Sequence, residues 1–84
     1  MATSPRESSL NREQRRALAL LASTPDGIIE DLLVLTYEFD SDMIAGLVHT
    51  GLATARRDTV NAGGRTIEVF RIMITAVGWT ALEG

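Results

Sequence analysis

Residues 56–72, R-R-D-T-V-N-A-G-G-R-T-I-E-V-F-R-I, read as two β-strands around a turn. The turn lies in Asn61-Ala62-Gly63-Gly64, where one of the glycines takes positive φ at little cost. Setting Asn61 opposite Gly64 places Arg57 opposite Glu68, Ala55 opposite Phe70 and Ala53 opposite Ile72. This register joins opposite charges and matches small side chains to large ones on one face. A slip by one would bring Asp58 against Glu68, two like charges. The other face of the hairpin then carries Ile67, Val69 and Met73 beside Thr54, Arg56 and Arg71.

Upstream of the hairpin the pattern changes from strand to helix. Asn11 followed three residues later by Gln14 has the spacing of a capping box. Leu10, Gln14, Ala17, Leu18 and Leu21 fall on one helical stripe, with Leu20 beside it and Arg12, Arg15 and Arg16 on the wet side. Ser23-Thr24-Pro25-Asp26-Gly27 stops this helix, because the residue before proline is pushed out of helical conformation. Ile28-Ile29 reads either as a two-residue strand or as the start of a second helix, E-D-L-L-V-L-T-Y. Glu30 and Asp31 suit the positive end of the helix dipole, and Leu32, Leu33 and Leu35 are expected to turn inward. Glu38-Phe39-Asp40 breaks the chain, and Asp40 or Ser41 caps a third helix through Met43, Ile44, Leu47 and Val48. Gly51 ends it, with Leu52 packing back on Leu47 as in a Schellman stop. Beyond Ile74, Thr75 caps a short final helix containing Val77, Trp79 and Leu82.

The chain has 84 residues, enough for one domain with one core. It contains no cysteine, so neither disulfides nor thiolate metal sites support it. No apolar run reaches membrane-spanning length, and residues 1–9 have no apolar stretch like that of a signal peptide. The expectation is a soluble cytoplasmic domain over residues 10–84 with a loose tail over 1–9. The net charge of −3 is unevenly spread. Residues 23–50 hold six acids (Asp26, Glu30, Asp31, Glu38, Asp40 and Asp42) and no basic side chain except His49. Every basic residue on either side of this block is arginine.

The sequence also bears on chemistry. Without lysine there is no Walker phosphate loop, and Gly63-Gly64 is a turn. His49 is the only histidine; Asp42 lies two helical turns before it, on the same face. No serine has a candidate base beyond that histidine, and Glu30 and Asp31 are adjacent, so they do not share a helix face. Neither an enzyme nor a resident metal or cofactor is expected.

The order helix, short strand, helix, helix, hairpin, helix resembles the winged helix-turn-helix domain of small bacterial regulators. L-N-R-E-Q-R-R-A-L is similar to the first helix of such domains. A-G-L-V-H-T-G-L-A is similar to a recognition helix running into the wing, and R-I-M-I-T-A-V-G-W-T-A-L to the last wing strand entering the final helix. The resemblance covers residues 10–82 and implies an α+β fold: a three-helix core, a two-stranded wing and a short C-terminal helix. It also implies a DNA-binding or transcription-regulating role, with Arg56, Arg65, Arg71, Arg15, His49 and Thr50 as the contacts to duplex DNA. The sequence departs from that pattern on the third helix, whose presented residues are Ser41, Asp42, Ala45, Gly46, His49 and Thr50. None is Arg, Lys, Asn or Gln, the side chains that read a base edge with two hydrogen bonds.

A second reading therefore stands beside the first: the same architecture used for contact with a protein partner or a second copy. In that reading Ile67, Val69, Met73 and Trp79 form an apolar interface. Trp79 has an alternative place, closing the core beneath the first helix.

Overall fold

A computed structural model describes residues 10–83; the expected tail over residues 1–9 lies outside the described residues. The chain forms an α+β domain in the order α1 (Arg12–Ala22), β1 (Ile28–Ile29), α2 (Glu30–Leu35), α3 (Ser41–His49), β2 (Ala53–Ala62), β3 (Arg65–Ile74) and α4 (Ala76–Glu83). The three strands make one antiparallel sheet in the order β1-β3-β2.

Local signals set most of the boundaries. Asn11 and Gln14 exchange side-chain-to-backbone hydrogen bonds, each of 2.8 Å, completing the capping box of α1. The Asp40 carboxylate accepts from the Asp42 N–H and caps α3. At the other end of α3, the Leu52 N–H donates to the Leu47 carbonyl and the Gly51 N–H to that of Val48, with Gly51 at φ 84°. These are the two bonds of a Schellman stop. The Thr75 hydroxyl oxygen accepts from the Gly78 N–H and so caps α4.

Ile28-Ile29 is a strand: it pairs with Ile72 and Arg71 of β3, and α2 follows without a linker. Gly27 makes this possible. Its φ is 90°, and a Cβ there would lie 2.8 Å from the Ile72 carbonyl oxygen and 2.5 Å from Met73 Cγ.

Two expectations require correction. Of the three leucines assigned inward on α2, only Leu33 is buried; Leu32 is 47% and Leu35 77% exposed. A helix of six residues touching the sheet along one line buries one position of its turn, and residues 32 and 35 lie to one side of it. The hairpin register also differs, by two residues. Ala53 faces Ile74, Ala55 faces Ile72, Arg57 faces Phe70 and Glu68 faces Thr59. Both glycines take positive φ, 60° and 81°, which closes a two-residue turn with Ala62 opposite Arg65. Such turns match the twist of the flanking strands. Because the shift is even, no side chain changes face, and Arg57 still reaches Glu68 diagonally at 3.5 Å.

The core lies between the helices and one sheet face. Leu18 and Leu21 of α1, Leu33 of α2, Ile44 and Leu47 of α3 and Ile72 of β3 are fully buried. The turn between α2 and α3 is fastened to α1. Glu13 accepts from the Asp40 N–H at 3.1 Å, and the Arg16 guanidinium lies 5.4 Å from the centroid of the buried Phe39 ring. Only β3 has a neighbour on both sides, and only at residues 71 and 72, so the rest of the hairpin extends as a two-stranded ribbon.

Candidate functional site

The arginines expected to meet phosphate are divided among different tasks. Arg15 donates from Nη1 to the Leu82 carbonyl, at the carbonyl-rich end of α4, where a cation is favoured. Arg71 is half-buried and donates from Nε to Asp58 at 3.0 Å. Arg56 lies directly across the ladder from Arg71, on the same face as Asp58. Arg65 sits beside the turn, opposite Ala62. Neither Arg56 nor Arg65 makes an ion pair among the described residues. The Thr50 hydroxyl is turned inward on its own helix, donating to the Gly46 carbonyl at 2.8 Å. His49 is exposed on α3.

The Asp58 carboxyl is held below the usual carboxylate range. The largest cause is the Thr59 N–H, which donates to Oδ1; the hydrogen bond from Arg71 comes next, and the charges of Arg71 and Arg56 add to it. A depressed folded value means that the contribution to stability is full above the unfolded value of about 3.9 and is lost as pH falls through the lower folded value. Asp58→Asn is therefore expected to lose less stability than the wild type on acidification from about pH 6 to about pH 3. Urea midpoints at the two pH values check this; equal losses in both proteins would contradict it.

The four proposed interface residues are not gathered on one surface. Ile67, Val69 and Met73 lie on the sheet face opposite Ile72, but Val69 is only 8% exposed and Met73 is covered where Gly27 crosses it. Trp79 is 47% exposed on α4, which packs on α1 and against Ile74 on the helical side. It neither closes the core nor joins Ile67.

A different apolar surface emerges from the packing. Between α3 and the hairpin lies a groove of about 370 Å³, lined by Ile44, Ala45, Val48, His49, Ala55, Phe70, Ile72 and Glu30. Ile72 forms its floor, and Phe70 stands at its side, 45% exposed. The space exists because Ala45 on α3 and Ala55 on β2 are small where helix and ribbon diverge. Of these residues, sequence reasoning had singled out only His49 as a contact. The available signal was Ala55 placed among large apolar neighbours on its face of the hairpin. Among the described residues, no group of three or more histidine, cysteine or acidic side chains could hold a metal ion, and no helix is long and apolar enough to cross a membrane.

No family model, no curated protein and no solved structure matches this chain.

Proposed function

We propose that this chain is a winged helix-turn-helix domain that contacts proteins rather than DNA, and that it has no enzymatic activity. Support for the winged-helix reading comes from the element order and from β1 pairing with β3 at the base of the hairpin. The observation that carries the protein-contact reading is the groove between α3 and the hairpin. A DNA reader needs hydrogen-bond donors and positive charge on that helix. Here the corresponding surface is Ala45, Val48 and Phe70, and Asp42 stands on the same helical face. Two of the four hairpin arginines are already held by Asp58 and Glu68.

The second reading, a DNA-binding regulator or an accessory to one, is favoured by Arg56 and Arg65, which face solvent without an acidic partner among the described residues. A titration with labelled random-sequence duplex DNA at about 50 and about 200 mM salt decides between the two, since phosphate binding falls steeply over that range. The expected result is no binding at micromolar protein at either salt. Micromolar affinity at low salt that collapses at high salt, and that Arg65→Ala weakens, would overturn the protein-contact reading.

A further inference from the structure

We infer that the groove between α3 and the hairpin receives an apolar side chain from a cationic amphipathic helix of another protein. The inference rests on the protein-contact reading and names the partner's chemistry.

The shape of the groove argues for a helix. One wall is α3, nine residues or about 13 Å at 1.5 Å per residue, and the other is a ribbon face ending at Phe70. An extended peptide adding to the free edge of β2 would bond through its main chain and leave this volume empty. A helix laid along the groove would instead point side chains into it, as amphipathic helices do in apolar grooves. The floor of Ile44, Ala55 and Ile72 offers no charged group to pair with, so the inserted side chain is aliphatic or aromatic.

The surroundings argue for positive charge on the partner. Glu30 lines the groove, and Asp42 continues the Ala45–His49 stripe of α3 by one turn. The helices α2 and α3 on this side carry Glu30, Asp31 and Asp42 and no arginine or lysine. Arg57, opposite Phe70 on the ribbon, is paired with Glu68 at 3.5 Å. Charges of one sign around an apolar slot select a partner of the other sign and repel its acidic counterparts.

The test uses three fluorescein-labelled peptides of about 18 residues, long enough for several helical turns. One carries leucine at i, i+3, i+4 and i+7 with lysine and arginine elsewhere; the second replaces the cations by glutamate; the third keeps the cations and replaces the leucines by serine. The first should bind with a micromolar Kd and shift the amide resonances of Ala45, Val48 and Phe70, and the other two should be at least about tenfold weaker. Ala45→Arg, at an exposed helical position, should preserve the melting temperature and weaken the first peptide by about tenfold or more through like-charge repulsion. Equal affinity for the cationic and anionic leucine peptides, with shifts at those residues, would overturn the charge assignment while leaving the protein-contact reading standing. Binding of the first peptide that Ala45→Arg leaves unchanged would overturn the groove as its place. If the peptide-free protein has the mass of two chains and Ala45→Arg returns it to one, the occupant is a second copy, and the inference also fails.

Discussion

Replacing Gly78 by alanine is expected to lower the melting temperature by roughly 8–16 °C, from about 2 kcal/mol of overpacking at about 4–8 °C per kcal/mol. A Cβ at Gly78 would lie 2.2 Å from the Leu52 carbonyl oxygen and 2.7 Å from Ile74 Cγ1. The backbone oxygen has little room to move. It accepts from the Thr75 N–H at 3.1 Å, and the adjacent Gly51 carbonyl accepts from the Thr75 hydroxyl at 2.6 Å. Those bonds tie the end of α3 to the start of α4, so the added methyl separates two helices rather than merely displacing a side chain. Gly46→Ala supplies the contrast. Gly46 is inside α3, and a Cβ there would meet nothing within 4 Å. The same chemical change should therefore stabilise by about 0.5–1 kcal/mol through helix propensity and a less disordered unfolded chain. Thermal unfolding of both variants checks the pair. A Gly78→Ala melting temperature within a few degrees of the wild type would show that α4 is not pressed against Leu52.

The two glycines also show what the sequence makes legible. Boundaries encoded by neighbouring residues were readable: Asn11 with Gln14, Asp40 at the start of α3, Gly51 and Leu52 at its end, and Thr75 before α4. Each is a hydrogen-bond pattern closed within a few positions. The register was less accessible, because two-residue turns at Ala62-Gly63 and at Gly63-Gly64 are both open to this sequence, and direct pairing of Arg57 with Glu68 favoured the first. The structure satisfies the same Arg57–Glu68 attraction diagonally, so that pair does not discriminate between registers two apart. Leu32 and Leu35 were misplaced because periodicity identifies a helix face without saying which side meets the sheet. In a helix of six residues, that choice belongs to the tertiary structure. The groove was hardest to foresee. It is made by absent volume, at Ala45 and Ala55, where α3 and the ribbon that follows it diverge, and missing volume leaves no periodic pattern to read. The apolar surface expected on the opposite sheet face is instead interrupted by the burial of Val69 and the crossing of Gly27 over Met73.

Ile72→Ala is expected to be the more damaging of two substitutions that both remove apolar volume beside the groove. Ile72 is 1% exposed, paired with Ile28 on one side and Ala55 on the other, and belongs to the fully buried core. Truncating such a residue costs about 2–5 kcal/mol, from lost burial and the cavity left behind. Against a total stability of roughly 4–13 kcal/mol for a chain of this size, that loss alone brings the domain close to unfolding at physiological temperature. Phe70, two residues earlier on the same strand face, is 45% exposed and has the opposite energetic character. Its ring covers little of the core, so Phe70→Ala should cost no more than about 1 kcal/mol and leave the urea slope unchanged. It should nevertheless weaken the leucine-bearing cationic peptide severalfold, because the side of the groove is lost. Urea unfolding and peptide titration of the two variants separate these contributions. If Phe70→Ala destabilised the fold as much as Ile72→Ala, the ring would be a core group and the groove a packing defect. A folded Phe70→Ala that no longer holds the peptide means that the aromatic ring is maintained on the surface at the expense of burial, for the sake of what it contacts.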